Sequence, residues 1–469
     1  MADDGVVFPE TGEGRRSTAA TGRAVVADAL RPVDPAGALA AERETNWRAG
    51  YLVHFRRVIE AGLTSRGAAI DIAAAGLASL HARMRVVLPG REEVGVEEWR
   101  SPGRELRTTE VTGTGEREEE FSLPYAGTRL RGDELLRRLD AWVDAGVMEP
   151  SAAAAVRDVV AHPEWLRLPD RTVVVLGAGA EMGPLPSLLR WGARVAGVDL
   201  PHAEQRVLET ARRGAGTLLL AGADLVREVP AVADWIAALP GAPVLGNYVY
   251  ADGALNVRVS TAVDVLTVRL QRQRPDLALA FLATPTDVFA VPADAVQRSV
   301  RAYAERSAAA KLVGRPLRTL SAGRLLRRAY VPGVDPGISD SLVAQQGPNY
   351  ALAKRLQRWR ATTARAVGTT VSLHVAPPTR TRSVVKNRAL AAAYAGAHRF
   401  GVEVFEPATS NVLMAALLVH DLSAGVPAHE QPWQDEAHAA VHGGLWTTPY
   451  APRSALGLAA LLGYGAARG

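Results

Sequence analysis

The chain has 469 residues, enough for two or three domains, and its 48% hydrophobic and 22% charged content is that of a soluble globular protein. Its 54 basic and 49 acidic residues leave a net charge of +5, and no basic tract carries interleaved aromatics, so nucleic-acid binding is not expected. The absence of cysteine excludes disulfides, thiolate catalysis and zinc–thiolate sites, and no apolar run reaches the roughly 18 residues of a membrane span.

The opening MADDGVVFPETGEGRRST has no apolar core behind a basic start. No secretory signal is read there, and a cytoplasmic protein is expected. Residues 1–40, rich in Gly, Pro, Asp and Thr, are expected to be loosely ordered, with a short helix at AVVADAL. Helical periodicity runs from Ala38 to Met84 and puts Trp47, Tyr51, Phe55, Val58 and Ile59 on one face. RMRVVLP reads as a strand. The stretch 106–130 alternates and carries Thr112-Gly113-Thr114-Gly115, which predicts a hairpin. Two helices follow, DELLRRLDAWVDAG and PSAAAAVRDVVAH, the second with Ser151 as its N-cap. These elements predict an α+β domain over 41–168, expected to cover the substrate or to form a homo-oligomer.

The pattern changes at Arg171. Short apolar strands alternate with helices: TVVVL, RVAGV, GTLLLAG, PVLGNYV, LALAFLA, TVSLHVA and VEVF. Strand alternating with helix at short spacing predicts a doubly wound parallel sheet of Rossmann type over 169–469, with a helical insertion at about 290–335 and a long helix over 342–366. The tail, 409–465, reads as mostly helical.

The first of these strands runs into Gly177-Ala178-Gly179-Ala180-Glu181-Met182-Gly183 and then a helix. Glycines there let a backbone approach a pyrophosphate, and the next strand ends in Asp199, placed to accept hydrogen bonds from a ribose diol. A carboxylate at that point favours NAD(H) over NADP(H). Asp224, followed by Leu225, comes after the third strand and is placed to reach an adenine amino group. The GxGxxxG spacing equally fits the turn that binds S-adenosylmethionine in methyltransferases, so the nucleotide stays open on these residues alone.

Only three lysines stand among the 54 basic residues: Lys311, Lys354 and Lys386. Lys354 lies four residues after Tyr350, so a helix puts both on one face. A tyrosine of ordinary pKa about 10 is a poor acid or base at neutral pH. A neighbouring ammonium favours the phenolate, and a compact ammonium also suits ribose hydroxyls in a way that the forked guanidinium of arginine does not. Asp287 and Phe289, after the fifth strand, are expected at the ligand-binding edge of the sheet.

From Thr172 to Phe405 the chain resembles the short-chain dehydrogenase/reductase family. The turn 177–183 is similar to that family's GxxxGxG, with Glu181 where it has glycine. Asp224 matches its acid after the third strand, Asn247 in GNYVYADG falls at its NNAG stretch, and Tyr350 and Lys354 match YxxxK. VSLHVAPPTRTRS resembles its loop beside the nicotinamide, through Pro377 and Thr381. The resemblance implies a divergent, extended member with Tyr350 as acid/base, Lys354 as its partner and ribose ligand, and Asn247 in a proton relay. It also implies a catalytic serine about a dozen residues before the tyrosine, for which Ser339 and Ser341 are the candidates. The implied activity is NAD(P)(H)-dependent interconversion of an alcohol and a carbonyl on a small-molecule or carrier-bound substrate.

Among other residues, His438 and His442 in HAAVH share a helix face if that stretch is helical, but no third ligand accompanies them and no metal is expected. His374 either contacts the cofactor amide or faces inward from its strand. Arg380, Arg382 and Arg388 follow the expected nicotinamide loop and are candidates for an anionic substrate tail.

Overall fold

The computed structural model describes residues 4–12, 14–100 and 105–465. Residues 1–3 and 13 of the expected loose segment lie outside the described residues. The centre is a seven-stranded sheet of Rossmann type. Its six parallel strands are Arg171–Leu176, Arg194–Asp199, Thr217–Gly222, Ala242–Asn247, Ala278–Ala283 and Val371–Val375. Numbered in that chain order, they lie side by side as 3-2-1-4-5-6. Each reads as an apolar run because both faces are covered. Val174, Leu176, Ala196, Val198 and Leu245 enter one core, and Val173, Val175, Val195 and Val244 enter the other. This is the period-two alternation of a pleated strand buried twice.

The outer edge departs from the hairpin expected over 106–130. Thr108–Thr112 pairs antiparallel with Thr217–Gly222 and becomes the seventh strand of the main sheet. The Gly113–Gly115 backbone does not turn the chain back; it donates to the carbonyls of Gly216, Arg212 and Gly214. The hairpin of this region is formed later, by Leu123–Tyr125 and Thr128–Leu130. At the opposite edge VEVF does not form a strand. Phe405 makes one isolated bridge, with Thr379. The segment beside it contains Pro377 and Pro378, which have no N–H to extend a ladder, and Glu403 donates instead to Gly443.

The N-terminal region is ordered. Gly5–Val7 pairs with Arg85–Val87. Thr18–Leu30 is a helix capped by Ser17, and Pro35–Glu42 is a helix capped by Asp34. Residues 6–99 share one continuous core with the sheet. The helices Gly132–Asp144 and Pro150–Ala161 belong to the core of the other face, with Pro407–Ala424. The N-terminal helices pack on one another and on Gly347–Ala366 as an outer layer. Ser151 is not the cap of its helix, which starts at Pro150; its hydroxyl accepts from the Ala439 N–H instead.

The helix Gly347–Ala366 carries Tyr350 and Lys354 and packs under the N-terminal layer. Gly76 of the Arg66–Arg83 helix is the close approach. A Cβ there would lie 2.4 Å from the Trp359 ring. Asp264 joins three helices: His81 Nε2 lies 2.7 Å from its Oδ2, and Arg360 binds both of its oxygens at 2.7 and 2.8 Å. Burial pushes the Asp264 carboxyl up, but Arg360 and His81 more than reverse this and hold it well below the usual range. Among the described residues, no helix is long and apolar enough to cross a membrane.

Candidate active site

The strand order reverses between Arg171–Leu176 and Ala242–Asn247, and a cleft of about 1160 Å³ opens at the carboxyl ends of the strands there. This is the position at which open α/β sheets bind ligands. Gly177 has φ +76°, and a Cβ would meet the Val249 backbone at 3.3 Å, so the turn and the next strand's exit require glycine. The Gly179 N–H donates to Asp199 Oδ2 at 2.6 Å, and the Leu200 N–H donates to Asp199 Oδ1 at 2.8 Å. The carboxylate is thus oriented by backbone and lines the cleft with Gly177, Gly179, Glu181 and Met182. Gly183 is the exception: it lies outside the lining, and its carbonyl accepts from Asn411. The helix that follows, Leu185–Arg190, has six residues, and the amides of Gly177, Ala178, Gly179 and Ala180 already donate within the fold, to Val198, Asp199 and Gly177.

Asp224, Leu225, Pro377 and Thr381 also line this cleft. Asp224 caps its helix through the Val226 N–H and pairs with Arg227. Arg206 lines it beside Asp199 and donates to the Gly179 carbonyl at 3.3 Å. Among the described residues, none of the lining comes from before Gly177. The N-terminal region holds two lining side chains from behind, Asp4 pairing with Arg227 at 2.6 Å and Val6 accepting from Arg258 at 2.5 Å, and it packs on the helix that carries Tyr350.

Tyr350 and Lys354 are half-buried in the cleft wall on one face of their helix. Tyr250 meets the Tyr350 ring edge-on at 6.2 Å. Burial raises the Tyr350 phenol; Asp287 adds to this, and contacts from Thr284, Gln346 and Thr286 only partly offset it. The direction of this shift favours the neutral phenol. Burial pulls the Lys354 ammonium down to about 8, against a smaller opposing effect of Asp287. Desolvation outweighs pairing at both groups.

Ser339 and Ser341 are not in the cleft. Ser339 lies on Gly337–Asp340, opposite Phe289 of Val288–Val291, in a separate two-stranded ribbon. Both serines are buried, with their hydroxyls 3.4 Å apart. Thr284 and Thr286 line the cleft with Tyr350, their hydroxyls 2.9 Å from each other, and Thr286 also donates to Gln346 at 3.1 Å. Their signal in the sequence was position: Thr284-Pro285-Thr286 follows directly on the Ala278–Ala283 strand, at the edge where ligands bind. Asn247 ends its strand at the cleft, its Oδ1 accepting from Val249 N–H at 3.3 Å.

Asp287 and Phe289 do not face the ligand edge. Asp287 is buried and takes Arg355 on Oδ1 at 2.8 Å and Arg358 on Oδ2 at 2.7 Å. Arg358 also holds Glu436 by two bonds, at 2.7 and 2.5 Å. Phe289 lies under the Arg358 guanidinium, 4.1 Å away. This cluster fixes the back of the Tyr350 helix.

His374 faces inward, with Nε2 2.8 Å from Asp421. His438 and His442 do not share a helix face, because the helix Pro432–Ala437 ends before them. His442 stacks on Trp446 at 4.6 Å and contacts Glu149. Among the described residues, no group of three or more acidic or histidine side chains could hold a metal. Of the three arginines, Arg382 lines the cleft, Arg380 pairs with Glu406 at 3.6 Å, and Arg388 lies outside the lining.

No family model and no curated protein matches the chain. Partial likenesses exist among solved structures. An A1-type ketoreductase is 16% identical, over 62% of this chain and 54% of that one, with a TM-score of 0.33. A-type ketoreductases from modular polyketide synthase give 17%, 55%, 46% and 0.32. A thiolation-reductase di-domain from an archaeal non-ribosomal peptide synthetase gives 11%, 56%, 52% and 0.30. The chain thus spans about half the length of these matched chains.

Proposed function

We propose that the chain is an NAD(H)-dependent oxidoreductase that interconverts an alcohol and a carbonyl, with Tyr350 as acid/base. The observation that carries this reading is the meeting of two sets of residues in one cleft. Gly177, Gly179 and Asp199 stand on one side, and Tyr350, Lys354, Thr284 and Thr286 on the other. The volume exceeds the roughly 300–1,000 Å³ of a pocket for one small ligand, leaving room for a dinucleotide and a second molecule. A bound nicotinamide would supply or accept hydride.

The chain's own residues would do the rest. The Gly177–Met182 turn would take the pyrophosphate on its backbone, and Asp199 the adenosine ribose; Asp224 and Leu225 would flank the base. Lys354 would hold ribose hydroxyls near the reacting carbon. In reduction, Tyr350 would give its phenolic proton to the substrate oxygen, and burial keeps that proton in place beforehand. Thr284 and Thr286 would donate to the same oxygen as it gains charge. Asn247 would support the relay, with Pro377 and Thr381 beside the nicotinamide. The Asp199 carboxylate opposes a 2′-phosphate, although Arg206 beside it works in the other direction, so NADH is favoured over NADPH. The substrate would be small or carrier-bound.

Calorimetric titration with NADH, NADPH and S-adenosylmethionine, repeated on Asp199→Ala, tests the reading. The expected result is NADH binding that the substitution weakens, with carbonyl reduction lost in Tyr350→Phe. Binding of S-adenosylmethionine without nicotinamide binding overturns it in favour of a methyltransferase. NADH binding without turnover of any carbonyl leaves a dinucleotide sensor.

A further inference from the structure

A second cavity, of about 300 Å³, opens beside the cleft. Gln345 and Leu390 line both. Leu342, Leu390 and Leu456 form its walls, and Ala389, Ala393 and Ala460 leave its width open. The single charged side chain lining it, Arg453, is paired with Asp340 at 2.9 Å, so the rim has no uncommitted cation to hold an anion. The groove begins close to the proposed chemistry. Gln346, next to Gln345, lines the cleft with Tyr350. Tyr394 lines the same cleft as Tyr350, and Leu390 lies one helical turn from it, about 6 Å along the Arg388–Gly396 helix.

We infer that the substrate carries an uncharged alkyl chain, and that this chain lies in the groove bounded by Leu342, Leu390, Ala393 and Leu456 while its carbonyl or alcohol carbon sits at Tyr350. The inference rests on the oxidoreductase reading and names its substrate class: aliphatic aldehydes, ketones or alcohols of medium chain length. A small polar substrate would leave this apolar surface wet. An alkyl chain removes it from water, at about fourfold in affinity for each buried methylene.

Gly457 provides the test. It lines the groove at an exposed position, and a Cβ built there meets nothing within 4 Å, so Gly457→Phe adds a bulky ring at the groove's mouth without a clash at its Cβ. NADH oxidation is followed with straight-chain aldehydes from propanal to dodecanal, and binding of 1-decanol is measured by calorimetry on the same proteins. In the unaltered protein kcat/KM should climb by about fourfold per methylene until the groove is full. In Gly457→Phe the climb should vanish, propanal turnover should be unchanged, and decanol should no longer bind. Turnover that depends on Tyr350 but is flat with chain length, or is equally steep in both proteins, overturns the groove and leaves the oxidoreductase reading standing. If no aldehyde is reduced but decanol binds only the unaltered protein, the alkyl site holds and the oxidoreductase reading falls. Absence of both turnover and decanol binding overturns both.

Discussion

Glu181 accepts the backbone N–H of Arg382 at 2.9 Å, which ties the Gly-rich turn to the helix on the opposite rim of the cleft. The carboxylate stands where the turn would meet a pyrophosphate, so it contributes both a tether and a repulsion. Glu181→Gln keeps an oxygen to accept the Arg382 N–H and removes the charge. The group is exposed, so the relief is modest, about 0.5–1 kcal/mol. NADH should bind about threefold tighter, by calorimetry, and the gain should shrink at high salt. Weaker binding would show that the tether outweighs the repulsion.

The hydroxyls around Tyr350 separate catalytic from structural oxygens. Tyr350→Phe should lower kcat for carbonyl reduction by about 10²–10⁴ with NADH affinity within about twofold of the original. Thr284→Val, similar in shape, should lower kcat by about 10²-fold if its hydroxyl donates to the developing oxyanion. Ser339→Ala and Ser341→Ala should leave kcat unchanged and lower unfolding stability by about 1 kcal/mol each, since their hydroxyls lie in a buried ribbon. A large kcat loss at either serine would return the catalytic role to that ribbon.

The Thr/Ser exchange marks what the sequence could and could not tell. The six parallel strands were legible because each is an apolar run buried on both faces, and the turn after Leu176 was legible because the Gly177 backbone requires glycine. Tyr350 and Lys354 were legible from helical spacing. The serines were not excluded by spacing, because distance along the chain does not register that Gly337–Asp340 pairs away from the sheet. Asp287 sits at the right edge in sequence, but Arg355 and Arg358, on the Tyr350 helix, draw it into the core. The outer layers were the least legible. Thr108–Thr112 finds its partner about a hundred residues later, and the helix face built on Trp47, Tyr51 and Phe55 gives no sign that it will pack against the Tyr350 helix.

The contact of Gly76 with Trp359 predicts a sign reversal. Alanine in place of a mid-helix glycine ordinarily gains about 0.8–1 kcal/mol. Here the new methyl would stand 2.4 Å from the indole, and overpacking of this kind costs about 1–3 kcal/mol. Gly76→Ala should therefore destabilise the protein by up to about 2 kcal/mol in denaturant unfolding, and lower kcat by displacing the Tyr350 helix. In a Trp359→Leu background, which removes the clashing ring atoms, the same Gly76→Ala change should become neutral or stabilising. Additive effects in the double variant would refute direct packing between the two layers.

Lys354 links the site to pH. Burial lowers its ammonium from 10.5 to about 8, so the unfolded chain binds the proton more tightly than the folded one. The contribution to stability is then fully present above the unfolded value and is lost as pH falls through about 8. Unfolding free energy in the unaltered protein should include a rise between pH 8 and 10.5, by at most about 3 kcal/mol. Lys354→Met should lack that rise and be more stable at pH 7. Activity should run the other way. Burial holds the Tyr350 pKa above its ordinary value, so carbonyl reduction should fall above about pH 8 as the Lys354 ammonium is lost. Lys354→Arg, charged throughout, should remove the alkaline fall while lowering the rate, because the planar fork does not reproduce the ammonium's position. An alkaline limb unchanged in Lys354→Arg would assign the titration to another group and leave Lys354 a structural residue.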